Sequence, residues 1–238
     1  MDGNGRWATE QNLPRLEGHA AGETAFTALV HQICDVASEI TTLTVFAFAK
    51  ANWKREQSEI DGLFDLFRKL YIENLDEFND RNVRVTPLGE VSELPEDIQE
   101  KIAEGVEKTK NNTGLHVQIA VNYDGLNEAV RATKQLAAQV AAGELAVETI
   151  DETVLRNALD TKGDADADIV IRTGMKKGDA EKGMAVWRPS GFLTLQSTQA
   201  VCVSVEKYWP DFTYEDLVDA ITVADLGSEL FGGQRQAA

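Results

Sequence analysis

The sequence predicts an α/β protein with an open, mostly parallel β-sheet flanked by helices, in a chain long enough for one large domain or two small ones. Two observations carry that prediction. Short runs rich in β-branched and aromatic residues, TTLTVFAF at 41–48, NVRVTPL at 82–88 and IVIR at 169–172, read as buried strands. Longer segments between them carry apolar residues at three- and four-residue spacing, the signature of amphipathic helices. Strands alternating with helices assemble into parallel sheets with helices packed on them. A third observation concerns placement: glycines and polar residues crowd the carboxyl ends of these strands, where ligands bind in open α/β sheets.

The composition narrows the function. A chain of 238 residues can bury a substantial core. With 23 Lys and Arg against 40 Asp and Glu, its formal charge is −17. That balance argues against a nucleic-acid partner, which needs a basic footprint, and against broad docking on an anionic membrane. Cys34 and Cys202 are too few and too far apart for a metal or disulfide framework, so reduced, buried thiols are expected. No apolar run approaches the ~20 residues of a membrane span and no leader pattern is present, which points to a soluble, cytoplasmic protein.

The first eight residues, MDGNGRWA, combine one carboxylate, two glycines and an arginine. Glycine-flanked amides and a guanidinium are a usual cradle for phosphate, and a carboxylate beside them can hold a divalent metal. The predicted site is therefore a diphosphate cradle with its acid at Asp2 and its donors at Gly3, Asn4, Gly5 and Arg6. Gly3, Gly5 and Ala8 also satisfy the letter of a G-x-G-x-x-A dinucleotide fingerprint, with Glu23 at a plausible distance. That fingerprint requires a preceding strand, and no residue precedes Met1 in this sequence.

Pro14 to Gly22 (PRLEGHAAG) brings Arg15 and His19, and a helix is predicted over 23–38. The strand 41–48 runs into Ala49 to Arg55 (AKANWKR). The helix 58–78 carries an apolar stripe through Ile60, Leu63, Phe64, Phe67, Leu70, Tyr71, Leu75 and Phe78, with Ser58 and Asp61 as an S-x-x-D start. After the strand 82–88 follow a solvated helix over 95–110, a strand over 115–121, helices over 128–142 and 151–159, and an acidic connection to 168. The strand at 168–174 delivers Arg172 and Gly174. A polar insertion over 175–186, read as a flap, separates them from Arg188, Ser190, Phe192, Leu193 and Gln196, and a strand is read over 197–205.

Six motifs in this order closely resemble the cis-prenyltransferases, the undecaprenyl diphosphate synthase family: MDGNGRWA, PRxxGHxAG, NW-x-R at 52–55, NTGLHVQIAVNYDG at 112–125, DIVIRTG at 168–174 and WPDF at 209–212. The resemblance implies a single domain over residues 1–238, a fold with a hydrophobic tunnel for the growing chain, and a homodimer. It implies condensation of isopentenyl diphosphate with an allylic diphosphate, with Mg²⁺ on Asp2. Asp2, His19 and Asn52 would then be the catalytic residues. Gly3, Asn4, Gly5, Arg6, Trp7, Arg15, Trp53 and Arg55 would contact substrate, and Arg172, Arg188 and Ser190 would bind the diphosphate of isopentenyl diphosphate. Phe64, Phe67 and Tyr71 would act as stops on product length. Any membrane contact would be peripheral, through the lipid product.

The chain also departs from the family pattern. Ala49 and Ala51 stand where it has Ser and Glu, Val201 where it has a metal-binding Glu, and Glu229 and Leu230 where it has two arginines. On a strand over 197–205, Glu206 would face away from Val201. The family's first strand would precede Met1. These losses keep two alternatives open: a relative making short or irregular prenyl diphosphates, and an impaired pseudo-synthase with a scaffolding role.

Overall fold

A computed structural model describes residues 1–175 and 189–230. Its elements are α1 (Asn4–Glu10), α2 (Arg15–Val36), β1 (Thr42–Ala49), α3 (Gln57–Asp80), β2 (Arg84–Leu88), α4 (Glu96–Thr109), β3 (His116–Tyr123), α5 (Gly125–Ala141), α6 (Glu152–Asn157), β4 (Ile169–Arg172), β5 (Val201–Ser204) and α7 (Tyr214–Leu230). The α/β class and the parallel pairing are as predicted. The described strands pair as two sheets, however, β1-β3-β2 and β4-β5, every pairing parallel. The two share one core, since Ile171 and Val205 pack against the cluster that holds Val45, Val85 and Val117.

Helix α2 begins at Arg15, eight residues earlier than its apolar periodicity suggests. Residues 15–22 form its first two turns, and Gly18 and Gly22 are there for a close approach. A Cβ on Gly18 would lie 2.0 Å from the Asn4 carbonyl oxygen, and one on Gly22 would lie 2.5 Å from Asn4 Oδ1. Helix α1 can therefore sit directly on α2, entered through Gly3 at φ 109°, a backbone region that costs glycine little.

Helix α3 starts at Gln57 after Glu56, so the S-x-x-D start does not operate; Asp61 accepts from Gln57 Nε2 at 2.8 Å instead. Helix α5 also starts early, at Gly125. Asp124 caps it, its carboxylate accepting the Leu126 and Asn127 N–H groups. β5 ends at Ser204, so the strand alternation that set Glu206 opposite Val201 does not extend to it. The predicted flap over 175–186 lies, but for Met175, outside the described residues. Cys34 is half-buried and Cys202 exposed, both free, so burial of the thiols holds only in part.

α2, α3 and α4 cover one face of β1-β3-β2 through Phe26, Val30, Ile33, Phe64, Ile98 and Ile102. The opposite face is polar at one end, where His116, Thr86, Gln118 and Asp164 hydrogen-bond together. No helix among the described residues is long and apolar enough to cross a membrane.

Candidate active site

The site forms where Met1 to Arg6 meets the carboxyl end of β4. Asp2 is tied there through its backbone: its N–H donates to Thr173 Oγ1 and its C=O accepts from the Thr173 hydroxyl, both at 3.0 Å. The same carbonyl accepts the Trp209 N–H at 3.0 Å. Its carboxylate is then clamped by two arginines, with Arg172 donating to Oδ2 at 2.7 Å and Arg6 to Oδ1 at 3.0 Å. Burial works to raise the Asp2 pKa, but hydrogen bonds and charge from Arg172, and then from Arg6, outweigh it and hold the carboxyl below its usual range. Arg6 also donates to the Gly174 carbonyl at 2.5 Å and lies over the Tyr208 ring. At Gly174 a Cβ would strike Arg6 and Asp2, so only glycine lets this strand end approach them. Arg172 reaches Ser190 Oγ at 3.5 Å. Arg188 lies outside the described residues.

A second polar group gathers around Glu59. Glu59 Oε1 accepts from Arg55 at 3.0 Å and from Arg15 at 3.3 Å, and His19 Nε2 stands 3.7 Å from it. The Arg15 guanidinium lies against Gly5, where a Cβ would come within 2.8 Å of it. Burial, followed by the charge of Arg55, pushes the His19 pKa down to about 4, against a smaller opposing pull from Glu59. The imidazole is thus neutral at neutral pH. His19 Nε2 and Asn4 Oδ1 are buried without a hydrogen-bond partner among the described residues, the state of groups that a polar ligand would satisfy.

The corner opens onto a cavity of about 160 Å³ between α2, α3 and the sheet. Asn4 and His19 are among its polar lining; Phe26, Phe48, Phe64 and Phe67 line its apolar wall. Phe64 and Phe67, expected on a tunnel for the growing chain, both line this cavity, and nothing is described for the side chain of Tyr71.

The remaining predicted residues are placed as follows. Asn52 caps its own turn, its Oδ1 accepting the Ala49 N–H at 2.9 Å. Trp53 donates to Asn122 Oδ1 at 2.8 Å and packs edge-on against Phe48, next to the cavity. Trp7 turns towards the WPDF segment and donates to Asp211 at 2.8 Å. Glu59 and Thr173 are the residues that sequence reasoning missed. Glu59 stands four residues after Arg55 at the start of a helix, a charge spacing that could have revealed it.

A cationic corner opening on an apolar cavity defines a class: proteins that hold a molecule with an anionic head and a hydrocarbon tail. The comparisons with known proteins agree. The Prenyltransf family model, undecaprenyl diphosphate synthase, matches residues 1–226. An isoprenyl transferase of Clostridium perfringens is 36% identical over 98% of this chain and 87% of its own length. The Micrococcus luteus ditrans,polycis-undecaprenyl-diphosphate synthase, specific for (2E,6E)-farnesyl diphosphate, is 32% identical over 98% of this chain and 89% of its own. The crystal structure of lavandulyl diphosphate synthase from Lavandula x intermedia, in complex with dimethylallyl diphosphate, superposes with a TM-score of 0.84 at 26% identity, covering 94% of this chain and 92% of that one. The chain belongs to the undecaprenyl diphosphate synthase family of isoprenyl-transferring enzymes.

Proposed function

We propose that this enzyme condenses isopentenyl diphosphate with an allylic diphosphate, each addition making a cis double bond in a polyprenyl diphosphate. The observation that carries the reading is the clamp of Arg6 and Arg172 on Asp2, beside Met1 and Asn4, which line a cavity suited to a hydrocarbon tail. In an acidic chain, the arginines at 6, 15, 55 and 172 form a local positive corner that attracts a diphosphate despite the net charge.

The donor set bears on the metal. Among the described residues no group of three or more potential ligands gathers, and residue 201 is a valine. Mg²⁺ commonly takes only one or two carboxylates, with substrate phosphates and water completing its shell. Asp2 meets that minimum, so the residues fit an ion bridged to substrate and not a resident cage. Mg²⁺ held by Asp2 would offset charge on the departing diphosphate.

The chain's own residues do the rest. Gly3, Asn4, Gly5 and Arg6 cradle the allylic diphosphate, with Arg15 behind them. Arg172 and Ser190, joined by Arg188, bind the second diphosphate. Trp53 and Arg55 keep the 50–55 turn over the cavity mouth and limit water. Neutral His19, next to Asn4, holds the substrate end of a proton relay. Asn52 supports the turn, and the proton lost from the condensing unit passes to diphosphate oxygen or water, because an amide is a poor base. We further propose a homodimer working in the cytoplasm, a setting that suits the two free thiols.

The test is a product assay with Mg²⁺, radiolabelled isopentenyl diphosphate and dimethylallyl, geranyl or farnesyl diphosphate. A ladder of cis-polyprenyl products, lost in Asp2→Ala, is expected. A branched product, or none with any primer, would overturn the reading.

A further inference from the structure

The cavity wall carries one polar feature that the proposed reaction does not use. Helices α2 and α3 run parallel and are fastened at both ends. At the start, Leu16 fills the space over Gly62 and Glu59 gathers Arg15 and His19. At the far end Arg81 bonds Asp35 at 2.8 Å, and the rings of Phe26 and Phe78 meet edge-on. The cavity occupies the gap between these two seams. Across that gap Asn74 Nδ2, on α3, donates to Glu23 Oε1, on α2, at 2.8 Å. Thr27 donates to the same oxygen at 3.3 Å. Both Glu23 and Asn74 line the cavity, among aromatic and aliphatic side chains.

Glu23 follows His19 by four residues, one helical turn or about 6 Å along α2. A tail whose diphosphate sits at Asp2 and Arg6 therefore passes Asn4 and His19 before it reaches the bridge. A hydrocarbon chain cannot replace the hydrogen bond that Asn74 donates to Glu23. To pass between the helices it must part Asn74 from Glu23 and leave a carboxylate and an amide against methylene groups, an arrangement strongly disfavoured in an apolar site.

We propose that the Glu23–Asn74 bridge sets product length: it is the point in the cavity at which tail growth stops. The specificity is electrostatic. It comes from polar groups that a tail would have to desolvate, in addition to the bulk of Phe64 and Phe67. This inference rests on the prenyl-transfer reading for the identity of the occupant, so its test separates tail binding from turnover.

The probes are straight-chain n-alkyl diphosphates of increasing length, which lack an allylic double bond and do not react, titrated by calorimetry. For wild type, affinity rises roughly fourfold for each CH2 buried and then levels off. In the Glu23→Leu/Asn74→Leu double variant the plateau moves out by at least one isoprene length, and in the product assay the ladder extends by one or more units. Glu23→Gln, which still accepts from Asn74, keeps the wild-type plateau, and the single Glu23→Ala variant tests the bridge should the double variant fold poorly. An unchanged plateau in a folded Glu23→Ala or double variant overturns the proposal. A shifted plateau without any turnover would support the bridge and refute the prenyl-transfer reading instead. Failure of wild type to bind any alkyl diphosphate would overturn both.

Discussion

The head corner and the tail cavity of this enzyme are built in opposite ways. The corner joins residues far apart in sequence: Asp2 meets Arg172, Thr173 and Trp209, and every one of those contacts is a directional hydrogen bond. The cavity is the gap between two parallel helices over a sheet, α2 and α3, adjacent in the helical order of the chain and mostly apolar where they face each other. A polar corner depends on a few bonds, so single atoms there should control turnover. An apolar wall depends on summed contact, so changes there should affect stability and tail length first. The difference predicts that head and tail functions are separable by mutation.

The sharpest break comes from Asp2→Ala. Turnover should fall on the order of 10²–10³-fold or more while the circular dichroism spectrum stays unchanged, because the backbone bonds of residue 2 survive. A comparable loss of fold would mean that the corner is structural. On the cavity side, Phe64→Ala should cost about 3–5 kcal/mol of stability in a denaturant titration. Affinity for inorganic diphosphate, which has no tail, should stay at the wild-type value; a large drop would show that head and tail sites are coupled.

The pH dependence probes the boundary between them. The His19 pKa is depressed from the ordinary 6.5 to about 4 by burial first and Arg55 second. Between those values the unfolded chain binds the proton more readily than the folded one. Stability from this group is therefore fully present above pH 6.5 and is lost as pH falls through about 4, by up to about 3 kcal/mol. Thermal melts of wild type and His19→Gln across that window check it, the variant showing a flatter profile. The smallest effect belongs to Trp7→Phe. It removes one N–H donated to Asp211 and should lower stability by about 1 kcal/mol without changing the KM for either diphosphate. A raised KM would instead place Trp7 on substrate.

Legibility from sequence followed the range of the interactions. β1, β3 and α4 were readable to within a few residues because their apolar periodicity is local. The starts of α2 and α5 were misjudged for the same reason. The place of Gly18 and Gly22 inside α2 comes from α1 packing on them, and the start of α5 from the Asp124 carboxylate that caps it. At the site, Asp2, Arg6 and Arg172 stood out by residue type. Nothing in their spacing tells that both arginines would close on one carboxylate, nor that Trp7 would turn to Asp211 while Asn52 turned to its own backbone. The spacing of Glu59 from Arg55 is local, but only the fold brings Arg15 and His19 to the same carboxylate.

By itself the sequence determined the α/β class, the family and the chemistry available: one leading carboxylate, glycines flanking it, a set of arginines and an aromatic stripe on α3. These follow from residue type and from periods of two and 3.6, which short-range physics imposes wherever the chain goes. Only the tertiary structure decided which charges neutralise each other, which histidine is held neutral, and that Glu23 and Asn74 meet across an otherwise apolar cavity. Those outcomes depend on distance and desolvation between segments that the sequence keeps 51 residues apart in one case and 170 in another, and the burial that sets their strength exists only once the chain has folded.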